Sequence, residues 1–370
     1  MIALREVYVD PALETYPAVQ RIREGLGDIP WHARADLDHV IQEVISYHAD
    51  PGSAGKGILL IRPFAGRLVK ACPGTMGHIC CGYKTINILT NCPMDCSYCI
   101  LQGYLNNPCL TFYPDFGKVF CEIEEIVAKH PHRIFRFGTG ELGDSLVLDK
   151  IIGFAAEAVP FFASQRNAIL ELKTKSVEVE HLLDLDHGGK TVISWSLNPQ
   201  QVIEQEEHGA AALAARLEAA RLCADAGYPL GFHFDPLISY PGWERDYREV
   251  VDLLFEKIDP SRVMWVSLGG LRLPSALKQV AQKRFPFSRI FSGELVPGED
   301  GKLRYIKPQR VQIYQRMVEW LRAYDRGLFV YLCMERGDVW EEVFGDTPGS
   351  TEGLNRRFEQ RVNSFLKELT

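Results

Sequence analysis

Apolar and polar positions along the chain follow two regimes. Before about residue 80 the pattern is irregular: one strand is expected at Leu4 to Val9, helices at Pro17 to Leu26 and Leu37 to His48, and then a stretch broken by proline and glycine from Pro51 to Gly74. From Lys84 onward it becomes regular. Short β-branched or apolar runs, TINILT, RIFRFG, AILELKT, KTVISWSLN, PLGFHFDPLI and RVMWVSLG, alternate with longer amphipathic segments. Those segments predict helices over Lys118 to Lys129, Leu146 to Val159, Val177 to Leu183, Ala210 to Ala226 and Trp243 to Lys257.

Six strand and helix repeats predict an α/β fold with a parallel sheet curved into a partial (β/α)6 TIM-type barrel. Three parts follow: a small N-terminal α/β domain over 1–80, the barrel over 81–270, and a C-terminal extension over 271–370. The extension reads as a helix at Pro274 to Phe285, a hairpin through GEDGKLRYIK, a long helix from Pro308, a strand LFVYLCME, and a final helix, loop and helix. In such barrels function gathers at the C-terminal ends of the strands.

Composition narrows the class. With 370 residues, 46% hydrophobic and 24% charged, the chain suits a folded globular protein with a sizeable core. It contains no uninterrupted apolar run of membrane-spanning length, and MIALREVYVD does not read as an export signal, so the expectation is a cytoplasmic protein with no membrane association. Ten cysteines in that compartment point to metal binding or chemistry rather than a disulfide framework. A net charge of -7 provides no global field attracting nucleic acid, so any such contact needs a local patch. The most basic short stretch with an interleaved aromatic is KLRYIKPQR, with Lys302, Arg304, Tyr305, Lys307 and Arg310; a solvated face is the plain alternative.

The chemistry begins directly after the first barrel strand, where TNCPMDCSYCILQ places Cys92, Cys96 and Cys99 in a CxxxCxxC spacing. Three thiolates hold three irons of a four-iron, four-sulfur cube and leave the fourth open, whereas an electron-transfer cubane takes four cysteines. A structural zinc site is the alternative; it needs a fourth ligand, for which Cys80, Cys81 and Cys109 are the neighbours. Strand two then ends in RFGTGELGDSL, with Gly138, Thr139, Gly140 and Glu141.

This arrangement resembles the radical S-adenosylmethionine (AdoMet) superfamily, including the aromatic Tyr98 before the last cysteine and a glycine-rich strand end like its GGE motif. More of the chain, from about residue 4 to about residue 340, resembles the spore photoproduct lyase family through VYVDPALETYP, CSYCILQGYLNNP, KTKSVEVEHLLD, HGGKTVISWSLNP and AGYPLGFHFDPLISYPGWERDYREV. The resemblance implies a 4Fe-4S cluster on Cys92, Cys96 and Cys99, with AdoMet chelating the open iron. It implies AdoMet contacts at Tyr98, Gly138, Gly140, Glu141, Lys175 and Ser196, and a flavodoxin- or ferredoxin-like electron donor. It also implies reductive cleavage of AdoMet to a 5′-deoxyadenosyl radical acting on a thymine-dimer lesion in DNA, with DNA contacts expected at Arg304, Lys307 and Arg310.

Two departures stand beside the resemblance. The lyase carries a hydrogen-donating cysteine just beyond strand two, where this chain has Glu141 or its neighbours. It carries a tyrosine after the third cluster cysteine, where this chain has Ile100. A non-nucleic-acid substrate is therefore the alternative, and a non-enzymatic iron-sulfur or zinc protein the second. Cys333 in VYLCMER is the candidate replacement donor, against a reading as a core residue. His233 and Asp235, two apart in GFHFDP, share one strand face, and Asp235 is the candidate substrate contact, paired or used. Cys72, Cys80 and Cys81 stay open between packing and a second redox feature.

Overall fold

The computed structural model describes residues 4–369. Its centre is a curled eight-stranded sheet whose strands lie in chain order: β1 Val69–Ala71, β2 Lys84–Ile86, β3 Phe135–Gly138, β4 Ala168–Thr174, β5 Thr191–Ser196, β6 Leu230–Leu237, β7 Val263–Gly270 and β8 Val330–Leu332. β1 runs antiparallel to β2, and every other neighbouring pair is parallel. The six expected strands form the continuous middle of this half-barrel. One further strand extends each edge, β8 being the LFVYLCME segment.

β5 and β7 are buried along their whole length, because helices cover one face and the half-barrel interior the other. The outer helices carry one apolar stripe each. Phe116–Ala128 is capped by the Asp115 carboxylate on the Lys118 amide and buries Phe116, Val119, Ile123 and Val127. Trp243–Lys257 buries Tyr247, Val250, Val251 and Leu254 in the same way.

A second sheet orders Trp31–Ala33, Glu6–Val9, Ile58–Ile61, Leu110–Phe112 and Leu89–Thr90. The chain beyond residue 80 thus contributes two strands to the N-terminal sheet, and residues from both sheets share one large hydrophobic core. The run TINILT divides accordingly: its start is β2, while Leu89–Thr90 pairs antiparallel with Leu110–Phe112.

Local corrections have local causes. The helix expected over Leu146 to Val159 is two, Asp149–Ile152 and Phe154–Ser164, because Gly153 adopts φ 74° between them and the Asp149 carboxylate receives the Ala155 amide. Val177 to Leu183 contains only a 3-10 turn at Glu180–Leu182. There the Thr174 and Ser176 hydroxyls accept the amides of Ser176 and Glu178 and compete with helix formation. The C-terminal hairpin forms from Val296–Pro297 and Lys302–Arg304, joined by Arg272–Pro274. Among the described residues no helix is long and apolar enough to cross a membrane.

Candidate functional site

A cavity of about 800 Å³ opens at the C-terminal ends of the barrel strands. Cys96, Tyr98 and Cys99 line one end, Gly140, Glu141, Lys173 and Lys175 the middle, and Asp235, Arg272 and Cys333 the far side. Most residues singled out from the sequence therefore face one space. Of the residues expected to hold the cluster and AdoMet, Cys92, Gly138 and Ser196 do not line it.

The cysteine loop is held by groups remote in sequence. Asn91 takes a left-handed φ of 70°, which asparagine tolerates, so that its side chain receives the Cys92 amide at 2.8 Å and donates to the Pro108 carbonyl at 2.7 Å. Lys56 Nζ donates to the carbonyls of Cys92 and Met94, each at 2.7 Å. Gln102 donates to the carbonyls of Cys96 and Ser97, and Asp95–Cys96 pairs with Glu207–His208. The Tyr98 hydroxyl donates to Glu207, which also binds Asn198 at 2.8 Å and the fully buried Arg216. Arg216, with Lys175 and the hydrogen-bond donors beside it, keeps the Glu207 carboxyl below its ordinary value although burial alone would raise it.

The donor set suits a cluster with one open corner. Burial pushes the Cys92 thiol up to about 12, with Asp144 adding to it and Lys56 opposing, and raises the Cys96 thiol against the opposing charge of Lys175. Cys92, Cys96 and Cys99 feel one another, whereas Cys72, Cys80 and Cys81 form a separate set. Cys109 is packed among Val40, Val44 and Leu60 and is no fourth ligand. Among the described residues no three histidine, cysteine or acidic side chains gather around one point as a single ion requires. A four-iron cube instead binds each thiolate to a different iron.

The turn after β3 is stitched to the end of β4. The Asp144 carboxylate receives the Thr174 hydroxyl at 2.6 Å and the Lys175 amide at 2.7 Å, while Ser145 Oγ receives the Thr139 hydroxyl and the Lys173 amide. The two glycines have different reasons. A Cβ on Gly138 would lie 1.8 Å from the Tyr83 hydroxyl and 2.3 Å from the Glu171 carbonyl, so the absent side chain makes room for protein, not for a ligand. A Cβ on Gly140 would lie 2.7 Å from that of Lys173, whose stem crosses it.

Lys173 and Glu141 were not paired by the sequence, yet they form the polar centre of the cavity. Neither side chain has a hydrogen-bond partner among the described residues. Burial would lower the Lys173 pKa, but Glu141, Glu171 and Asp235 outweigh it and hold it above its ordinary value, so the ammonium stays charged. Asp235 is paired: Arg272 Nη1 and Nη2 donate to its two oxygens at 3.1 and 2.9 Å. Its carboxyl, which burial would raise, is kept low by Arg272 and then Lys173. Arg272 Nη2 also lies 3.4 Å from Cys333 Sγ. Burial pushes the Cys333 thiol well up against that guanidinium, so it carries its hydrogen at neutral pH.

His233 shares the expected face with Asp235 and, though mostly buried, lines the same cavity. Its Nε2 lies 2.8 Å from Glu171 Oε1, an oxygen that also receives the Ser194 hydroxyl at 2.7 Å and the Trp265 indole at 2.8 Å. Ser196, at the end of β5, is buried, and its carbonyl receives Arg216.

The basic hairpin requires correction. Arg304 is buried against Asp300 and His78, and Arg310 against Glu335 and the Tyr305 carbonyl, so neither reaches a phosphate. Lys307 is more exposed but is shared by Asp338 and Glu342. These cations are spent mostly within the extension, with Arg304 also reaching His78.

A profile described as "Spore photoproduct lyase" matches residues 80–320. The chain belongs to the spore photoproduct lyase family. The spore photoproduct lyase of Geobacillus sp. (strain Y412MC61) is 32% identical over 209 residues, 55% of this chain and 61% of that relative, so the match spans less than two thirds of it. That of Bacillus subtilis (strain 168) is 27% identical over 304 residues, 77% and 83% of the two chains. A cysteine-to-alanine mutant of spore photoproduct lyase, solved with dinucleoside spore photoproduct, has a TM-score of 0.79 at 25% identity and covers 89% of this chain and 98% of that one. A double mutant with bound AdoMet and the same dinucleoside has a TM-score of 0.78 at 24% identity, covering 89% and 98%. Glu141 and Ile100, the two residues at which the sequence departs from the family pattern, both line this cavity.

Proposed function

We propose that this member of the spore photoproduct lyase family is a radical AdoMet enzyme. The observation that carries the reading is the CxxxCxxC loop, which presents Cys96 and Cys99 beside Tyr98 to a cavity that Glu141 and Lys175 also line. When bound, a 4Fe-4S cluster on Cys92, Cys96 and Cys99 supplies an electron and AdoMet a 5′-deoxyadenosyl radical. The chain's own residues bind, orient and exclude water. Lys56, Asn91 and Gln102 fix the loop; Lys175, whose Nζ lies 5.9 Å from the Tyr98 ring centroid, offers a cation for the AdoMet carboxylate, and Glu141 an acceptor for its amine. Gly140 lines the same cavity, Ser196 is buried behind it with its carbonyl on Arg216, and Gly138 leaves the set because Tyr83 claims its space.

The protonated Cys333 thiol is the proposed hydrogen donor to a substrate radical, its S–H bond breaking as the substrate's C–H bond forms. Arg272 and Asp235 hold it in place. Anaerobic turnover in deuterium oxide tests this: Cys333→Ala loses solvent deuterium from the product, whereas retention of that label with Cys333 removed eliminates the thiol as donor.

For the substrate, the thymine lesion named for the solved relatives is the first to assay. A second reading, a compact charged molecule, is favoured by the Lys173 and Glu141 pair in the cavity and by the burial of Arg304 and Arg310. Conversion of dinucleoside spore photoproduct to thymines decides for the first. AdoMet cleavage that leaves the lesion intact decides for the second.

A further inference from the structure

Cys99 lines a second cavity, of about 470 Å³, on the side of the loop away from the active cavity. This groove is bounded by three elements: the helix Leu37–Tyr47, the turn Leu101–Tyr104 that directly follows the cluster cysteines, and the helix Ser275–Arg284. The last two touch closely, a Cβ on Gly103 falling 3.6 Å from that of Leu277. Arg284 bolts the third element to the loop, donating to Asp95 at 2.8 Å and to Asp50 at 2.9 Å, and also binding Gln102.

The face is unlike the rest of an acidic protein. Between Asp259 and Glu294 the sequence contains no carboxylate, while Lys278, Lys283, Arg284 and Arg289 fall on the helix and the turn after it. Neither Lys278 nor Lys283 has an ion-pair partner among the described residues. The one carboxylate lining the groove, Asp50, is already bound by Arg284. Apolar side chains are exposed on all three elements: Tyr47 at 81%, Tyr104 at 58%, Ile45 at 40% and Val280 at 39%. Exposed aromatic and aliphatic residues ringed by unpaired cations are the composition of a recognition patch for a protein of opposite charge.

We infer that this groove is the docking face for a small acidic one-electron carrier protein. The inference rests on the radical AdoMet reading, which requires an electron to reach a cluster on Cys99 from outside. The groove offers that approach without displacing a substrate from the active cavity. One electron passes from the reduced carrier, which is oxidised, to the cluster, which is reduced; no proton or bond is transferred at this face.

The test uses the reconstituted full chain and reduced flavodoxin as the acidic probe. Lys278→Glu combined with Lys283→Glu is expected to weaken flavodoxin binding about 10-fold at low salt and to flatten its salt dependence. Flavodoxin-supported 5′-deoxyadenosine formation falls with it, while formation driven by photoreduced deazaflavin stays at the wild-type rate. Tyr47→Ala, a surface change that leaves the fold intact, weakens binding in the same direction. Unchanged flavodoxin affinity in the charge-reversal variant, or displacement of flavodoxin by an oligothymidylate, overturns the proposal. Binding is read without turnover, so docking is decided even where deazaflavin-reduced protein makes no 5′-deoxyadenosine, the result that would instead sink the radical AdoMet reading.

Discussion

Glu171 shows how a single buried carboxylate organises the barrel interior. Burial would raise its pKa, but His233, Arg136 and Ser194 hold it down at about 2, below its ordinary value of 4.5. A depressed carboxyl contributes stability that is fully present above 4.5 and is lost as pH falls from there through about 2. Glu171→Leu strands His233, Ser194 and Trp265 together and is expected to cost about 3 kcal/mol at neutral pH. Urea unfolding measured from pH 7 down to pH 3 should show that cost shrinking with acid; a constant difference would mean that Glu171 is not ionised in the folded state. Gly138→Ala is a steric counterpart, expected to cost about 3 kcal/mol. Tyr83→Phe should recover only part of it, since the Glu171 carbonyl stays 2.3 Å from the new Cβ. Full recovery in the double variant would show that the backbone yields.

At the scale of elements, the cluster loop was legible as a motif but not as a structure. CxxxCxxC after a strand names candidate ligands, because thiol type and spacing are local properties. Its supports, Lys56, Glu207 and Arg216, are ordinary charged residues whose partners arrive only through the fold; no periodicity marks them. Arg272 was missed for the same reason: Asp235 at a strand end was read as a substrate contact, and the fold pairs it with Arg272. The strands were readable because short β-branched and apolar runs, even with Arg136, Glu171 or His233 inside them, stand apart from the longer amphipathic segments, and Trp243–Lys257 because its stripe is regular. The divided helix at Gly153 and the lost helix near Val177 were not, since glycine conformation and hydroxyl competition override an apolar rhythm. Arg216→Met leaves Glu207 charged, buried and unpaired, and is expected to destabilise the protein by about 4 kcal/mol. Adding Glu207→Gln should restore much of that. Denaturant melts of the three variants decide it: simple additivity would mean that the two do not act as one pair.

For the whole molecule, the basic hairpin is the instructive failure. Charge counted along KLRYIKPQR suggested a nucleic-acid contact, yet folding spends Arg304 and Arg310 on Asp300 and Glu335, within the extension itself. A sequence gives the sign of a charge but not whether an opposite charge will be folded against it. What the fold leaves facing the cavity is a thiol end, a charged middle at Lys173 and Glu141, and a protonated thiol held by Arg272. That arrangement makes sense as a site where AdoMet is cleaved and a substrate radical is quenched. The most direct test is anaerobic reconstitution with iron and sulfide, followed by reduction and AdoMet, with 5′-deoxyadenosine measured for the wild type and for Cys99→Ala. The account predicts 5′-deoxyadenosine from the wild type and none from Cys99→Ala. Equal amounts from both, or none from a fully iron-loaded wild type, would contradict it.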